Sequence, residues 1–422
     1  MALKTGTATA QPSAAARLPA AYWILTAGFT LCRSGCVVVP FLALYLVRHQ
    51  HFSATDAAQV SAAFGAGWAV GPAAAGWLTD RIGRHPTLLL ALISVSATYL
   101  TLPALSSLSA LTTAAFAVGL LFDGPRPAVF ALVADLVPQQ DRGRAYAKLY
   151  WASNIGAGVA GAVGAFLADH RFTALFYVAA GSNLAFATTI AVTRAKTRAP
   201  APARSRDADA QPTKYRALLR DRPFLALTGL TLLFLCVYQQ VLFGLPVAMD
   251  RDGLEPSSYG TISLVNAIAV VLLQPLIQPW ADRRAPLTVC TAASLTLGAG
   301  MGSHLVAHGS LTAYAAAAVL WTLGEVLFFS SVMTMVDRLA PADAKGRYTG
   351  VWASTMGISA LLAPLISAAS LKTGGPELMW TGSLALGLTA AAGFLVLQRK
   401  GPAAPLPTHH EPAQRTGEPL PG

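Results

Sequence analysis

Charge is scarce in this chain. Of its 422 residues only 12% are Asp, Glu, Lys or Arg, about half the share of an ordinary soluble domain, so there is too little polar side chain to cover a water-soluble surface. Cysteine is scarcer. The four, Cys32, Cys36, Cys236 and Cys290, all fall inside apolar runs without metal-ligand spacing; they read as small buried hydrophobes, not as a disulfide framework or zinc site. The sequence also lacks a Walker loop, a nucleophile with a placed base and a carboxylate pair in a soluble segment, which leaves an ATP-driven pump or a hydrolase unsupported. Basic residues outnumber acidic ones, 30 to 19, but no basic cluster is interleaved with base-stacking aromatics, so nucleic acid is not an expected partner. No signal peptide is apparent. Residues 1–20 form a polar, Ala-rich tail with only Lys4 and Arg17, and the apolar run behind it is too long for an h-region.

What is present is apolar sequence in blocks. The hydrophobic fraction is 54% and the mean hydropathy +0.51; the blocks run to about 20 residues or more, enough to cross roughly 30 Å of hydrocarbon as helix. The pattern predicts an all-α membrane protein of twelve transmembrane helices, at 21–47, 57–79, 86–106, 109–137, 145–168, 172–193, 223–248, 257–280, 286–308, 311–338, 347–371 and 376–398. Separation is weakest at the short turns around Ser107 and His308. With both termini in the cytoplasm, 24 of the 30 Lys and Arg fall on the cytoplasmic side, four outside, and two, Arg33 and Arg126, within the membrane. That asymmetry is what the positive-inside rule requires, so the basic charge is read as topology. Residues 1–20 are then a cytoplasmic tail, 21–194 a six-helix bundle, 195–221 a cytoplasmic linker with Pro200, Pro202 and Pro212, 222–398 a second bundle, and 399–422 a Pro-rich cytoplasmic tail.

The halves repeat one another. Asp80-Arg81-Ile82-Gly83-Arg84-His85-Pro86 follows the second helix, and Asp282-Arg283-Arg284-Ala285-Pro286 follows the eighth, 202 positions later. Asp135, Pro138, Gly143-Arg144 and Trp151-Ala152-Ser153 recur as Asp337, Pro341, Gly346-Arg347 and Trp352-Ala353-Ser354 at offsets of 201 to 203. A constant offset implies a duplicated six-helix unit, with a substrate site between halves that rock against one another.

Across residues 21–398 the chain resembles the major facilitator superfamily. The most specific match is Gly76-Trp77-Leu78-Thr79-Asp80-Arg81-Ile82-Gly83-Arg84, which follows the superfamily's signature for the loop between helices two and three. The resemblance implies a conformational latch built from Gly76, Asp80, Arg81, Gly83 and Arg84, tying the halves together on the cytoplasmic side in the outward-open state. The second copy has Gln278 where Gly76 stands, which favours a topological role there. Asp135 and Asp337 close helices four and ten as partners for nearby arginines.

An ionisable side chain inside the bilayer costs several kcal/mol, so each needs a partner or a water-filled cavity. Four lie near mid-helix: Arg33 in helix one, Asp123 and Arg126 in helix four, and Glu325 in helix ten. The resemblance puts helices one, four, seven and ten around the central cavity. Asp123 and Arg126, three apart, can meet and neutralise each other, so Asp123 is either half of a permanent ion pair or a second proton carrier. Glu325 has no opposite charge within one turn; its expected partner lies across the cavity, Arg33 or Arg126. Glu325 is expected to carry the coupling proton, or else to belong to a structural pair, and Gly324-Glu325 also resembles proton-coupled members of the superfamily.

Trp68, Asn154, Tyr238, Gln239, Gln240, Phe243, Asn266 and Trp321 are the candidate substrate surface. His304 and His308 are read as loop histidines at the outer end of helix nine. Helix five contains Gly156, Gly158 and Gly161, which match the dinucleotide fingerprint by letter, but no strand precedes them and Gly164 continues the run; close helix packing explains them better. Drug antiporters of the superfamily usually carry Gly-Pro in this helix, whereas this chain has Gly156-Ala157 and holds Ala363-Pro364 in helix eleven. The reading is a secondary transporter of the cell membrane that exports small drug-like or metabolite molecules in exchange for protons. The alternatives are import through the same proton site, or a non-transporting membrane sensor or scaffold. The expected partners are a small-molecule substrate, protons and the lipid bilayer, with the monomer as working unit, the proton gradient as energy source and no cofactor or metal.

Overall fold

A computed structural model describes residues 18–138, 141–197, 218, 220–341 and 345–400. Most of the predicted linker and both predicted tails lie outside them. The described residues form helices and turns without a strand. In chain order the first bundle consists of α1 (Ala20–His49), α2 (Ala54–Ile82), α3 (Arg84–Ala104), α4 (Leu108–Phe122 and Pro125–Leu136), α5 (Arg142–His170) and α6 (Phe172–Thr197). The second consists of α7 (Arg222–Tyr238, Gln240–Phe243 and Leu245–Arg251), α8 (Pro256–Ala281), α9 (Pro286–Val306), α10 (Leu311–Leu339), α11 (Lys345–Thr373) and α12 (Gly375–Lys400). Ten of these are long and apolar enough by themselves to cross a bilayer. The others are the divided α4 and the Ala- and Gly-rich α2, whose 29 residues rise about 43 Å as helix.

The turns that barely separate neighbouring helices in sequence have local causes. Ser107 caps α4, its Oγ accepting from Ala110 N at 3.3 Å, and Ser310 caps α10 in the same way. His308 and Gly309 both take left-handed backbone at the second turn. Three of the predicted continuous helices are interrupted. α1 is regular over Ala20–Ser34, loosens at Gly35 and passes through a 3-10 turn containing Pro40; α4 breaks at Asp123 and Gly124 before Pro125; α7 breaks at Gln239 and again at Gly244, before Pro246. A proline ring removes one backbone donor and crowds the preceding turn, which accounts for irregularity beside all three. α10 runs unbroken for 29 residues.

Lipid is as apolar as leucine, so close packing of small residues holds the helices together more than the hydrophobic effect does. The two bundles meet along two seams, α2 against α11 and α5 against α8. At the first seam a Cβ on Gly65 would lie 2.2 Å from the Ala360 carbonyl carbon, and one on Gly357 would lie 2.1 Å from Ala69 Cα. At the second, a Cβ on Gly158 would meet Ala267 Cβ at 2.6 Å and one on Gly161 would meet Ser263 Cβ at 2.3 Å. Two of the glycines that imitate a dinucleotide fingerprint, Gly158 and Gly161, are thus where α5 meets α8, and the third, Gly156, faces α1.

Among the described residues, the polar contacts between bundles cluster at the end of the molecule away from the termini. Arg48 pairs with Asp250, Asp169 Oδ1 accepts from Ser257 N at 3.2 Å, and Phe41 packs edge-on against Tyr259. Nearer the termini Tyr150, Trp151 and Ile155 of α5 are exposed. Among the described residues the bundles are therefore tied together at this far end.

Candidate functional site

Between the bundles lie two connected chambers of about 190 and 230 Å³, sharing Arg33, Trp68, Asn154, Tyr238 and Glu325 in their walls. The deeper one reaches Tyr259 and Trp321; the other opens past Arg126, Phe130 and Tyr150 toward the terminal end. Trp68 is braced by Phe64 and by Phe122, whose ring meets it edge-on at 5.2 Å.

Glu325 is held on neutral groups. It is 6% exposed. Its Oε1 accepts from Tyr238 Oη at 2.9 Å and its Oε2 from Asn266 Nδ2 at 2.9 Å. Asn266 Nδ2 also donates to Thr322 Oγ1 at 2.9 Å, and Thr322 in turn donates to the Ala318 carbonyl. All of these groups belong to the second bundle. The expected pairing of Glu325 with Arg33 or Arg126 is absent among the described residues; tyrosine and asparagine take that place.

The three charges of the first bundle are arranged differently. Asp123 sits at the break in α4 and its Oδ1 accepts from Arg126 Nε at 2.9 Å, so these two form their own closed pair. Arg33 makes no ion pair among the described residues, its Nε is buried without an acceptor, and its guanidinium lies 5.8 Å from the centre of the Phe122 ring. Behind it Gly156 lets α5 approach, since a Cβ there would come within 2.8 Å of Arg33 Cβ. One cavity thus holds a neutral ion pair, an unpaired cation and a carboxyl group on neutral partners.

A tyrosine hydroxyl can donate or accept, and an asparagine side chain can present its NH2 or its oxygen by turning over. Tyr238 and Asn266 can therefore satisfy Glu325 with or without a proton, which an arginine, being only a donor, cannot do.

The other candidates separate. Trp68, Asn154, Tyr238, Asn266 and Trp321 line the chambers, and Gln239 reaches one wall while its Nε2 donates to the Met356 carbonyl at 3.4 Å. Gln240 is not on the cavity: it is buried between α7 and α11, bonded to the Cys236 and Ala363 carbonyls and accepting from Ser367 Oγ. Phe243 faces a small separate pocket with Val47, Ala58 and Leu371. Both lie beyond the break at Gln239, where the face of α7 that looks into the cavity changes. His304 is a buried residue, not a loop histidine; it stacks on Trp380 at 4.6 Å with Nδ1 against the Gly300 carbonyl.

Of the latch residues, Gly76 and Asp80 fall on the last turns of α2, and their surroundings lie outside the described side chains. Gly83 takes φ +89°, which suits a residue without Cβ, at the turn between α2 and α3. Arg84 pairs with Asp135 inside the first bundle, and Arg81 lies 4.2 Å over the Trp77 ring. Asp337 is exposed on the last turn of α10. Phe122 and Thr322 were not anticipated as site residues. Their signals were position alone: Phe122 adjoins Asp123, and Thr322 precedes Glu325 by three residues on one helix face.

The Major Facilitator Superfamily model matches residues 21–364 and 253–419. Two MFS-type transporters of Bacillus subtilis, both described as uncharacterized, are similar: YqjV is 28% identical over 319 residues, 74% of this chain and 77% of that protein, and YttB is 25% identical over 398 residues, 91% and 96%. The multidrug resistance protein MdtH of Cronobacter sakazakii is 27% identical over 298 residues, 65% and 67%. Among solved structures, a POT family transporter in complex with 5-aminolevulinic acid superposes with a TM-score of 0.75 at 15% identity, covering 90% of this chain and 96% of that one. At such identity the likeness speaks for the fold alone. With the family model spanning both bundles and the twelve-helix fold matching, the chain belongs to the major facilitator superfamily of membrane transporters.

Proposed function

We propose that this transporter exports small organic molecules in exchange for protons, working as a monomer in the cell membrane with both termini in the cytoplasm. The observation that carries the proposal is the neutral cradle of Glu325, whose partners serve either protonation state. With the Asp123–Arg126 pair neutral, ionised Glu325 balances Arg33 across the cavity, and protonation leaves the cavity one positive charge in excess. An uncompensated charge is costly in a closed, dry space, so the proton and the substrate each bias which side opens. A substrate that presents a cation or a hydrogen-bond donor to Glu325 competes with the proton, and that competition is what makes exchange obligatory. The charge asymmetry of the loops supports a cytoplasmic terminal end, so the chamber lined by Arg126, Phe130 and Tyr150 is the one that takes up substrate from inside. The names of the MdtH relatives support export.

Arg33, lacking an acceptor, favours one alternative. An anionic substrate on Arg33 would bind best with Glu325 protonated, so proton and substrate would travel together as in an importer. Everted vesicles with a pre-formed pH gradient separate these readings. Exchange dissipates the gradient when an organic cation such as ethidium or another member of a compound panel is added. Accumulation of an organic anion in whole cells, with no compound dissipating the gradient, would overturn export in favour of import, and no response of either kind would favour a sensor.

A further inference from the structure

In the turn just past the terminal end of α8 stand two arginines that no acid engages among the described residues. Asp282, their neighbour, accepts from Gln278 Nε2 at 2.8 Å, while Arg283 and Arg284 are exposed and make no ion pair among the described residues. The Arg284 guanidinium lies 5.4 Å from the centre of the Trp280 ring. With Leu276 and Pro279 these three residues line a shallow, open-sided groove.

The groove continues an apolar track. Leu264, Ile268, Leu272 and Leu276 are 46%, 51%, 60% and 73% exposed, and their four-residue spacing stacks them along one face of α8. The same spacing leads on to Trp280, and Arg284 stands in the turn just beyond the helix end. From Leu272 to Trp280 the helix rises about 12 Å, close to the depth of one hydrocarbon leaflet. An aromatic ring at interfacial depth followed by cations is the order in which a phospholipid presents acyl chain, glycerol and phosphate.

We propose that this groove binds one anionic phospholipid of the terminal-side leaflet, its phosphate between Arg283 and Arg284, its glycerol against Trp280 and an acyl chain along Leu272 and Leu276. At the offset of 202 that pairs Asp80 with Asp282, Arg81 of the first copy matches Arg283 and Ile82 stands where Arg284 is. The first copy therefore offers one cation at this place where the second offers two. This site is independent of the central cavity and of the direction of transport.

Native mass spectrometry of the full-length protein in detergent, titrated with dioleoyl-phosphatidylglycerol or dioleoyl-phosphatidylcholine, tests the proposal. One phosphatidylglycerol is expected to be retained in clear preference to phosphatidylcholine, and R283Q/R284Q is expected to weaken it roughly thirty-fold, the attraction an anionic lipid exerts on two basic residues. R283K/R284K should restore binding to within a few-fold, since charge is what is read. Equal retention of the two lipids, or undiminished binding by R283Q/R284Q, overturns the proposal. Displacement of phosphatidylglycerol by inorganic phosphate at tens of millimolar would overturn it too, by showing an anion site that does not read the acyl chain.

Discussion

Gly65→Ala perturbs the seam that closes the far end. The added Cβ would lie 2.2 Å from both Ala360 C and Leu361 N and 2.3 Å from Ala360 O, all backbone atoms that no rotamer change can move. Ordinary contact begins near 3.4 Å, so α2 and α11 must separate there by about 1 Å. Overpacking of this kind typically costs 1–3 kcal/mol, and a state in which the far end has parted does not bear the cost. The equilibrium between closed and parted far ends should therefore move by roughly 5- to 150-fold toward the parted state, at 1.4 kcal/mol per factor of ten. Spin labels on cysteines replacing the exposed His51 and Glu255, one on each bundle at the far end, report this by double electron-electron resonance. The longer-distance population should grow in the Gly65→Ala background. An unchanged distance distribution in a monodisperse, folded Gly65→Ala variant would show that this seam does not set the gate.

Other expectations follow from the site. Gln240→Leu removes the bonds that tie α7 to α11 and should cost about 1–3 kcal/mol of stability, read as a lower unfolding temperature, with substrate affinity within a few-fold of the parent; a large, selective loss of affinity would return Gln240 to the cavity. Asp123→Asn breaks the closed pair with Arg126 and should lower transport rate while leaving the pH dependence of transport in place; loss of coupling in this variant alone would move the proton site to α4. A membrane-impermeant thiol reagent outside the cell should modify cysteine at Asp252 and spare cysteine at Asp282, and the reverse pattern would invert the topology.

Much of this was legible in the sequence because apolar blocks and basic loops are direct consequences of the bilayer. The helix count, the duplication, the placing of four charges on helices one, four and ten, and the packing role of the glycines in α5 all came from residue pattern or from the family resemblance it carries. The breaks in α1, α4 and α7 were not read, although Pro40, Pro125 and Pro246 stand beside them. Facing was harder. In a helix that is apolar all round, lipid and protein neighbours select the same residues, so periodicity cannot tell which side Gln240 or Phe243 takes. The partners of Glu325 are not legible in the sequence because they are neutral, whereas a buried carboxylate points first to opposite charge. Tyr238 and Asn266 were among the candidates, but as substrate contacts, and nothing in the spacing from α7 or α8 to α10 brings them to one carboxyl group.

The central claim is that Glu325 carries the coupling proton. Glu325→Gln keeps the shape of the side chain and can still bond Tyr238 and Asn266, but it can neither take nor release a proton. Reconstituted in proteoliposomes and assayed with the compound that best dissipates the pH gradient in everted vesicles, it should exchange labelled for unlabelled compound at a rate within a few-fold of the parent. It should also fail to move that compound uphill when a pH gradient is imposed. Uphill transport by Glu325→Gln equal to that of the parent would contradict the account and place the proton elsewhere.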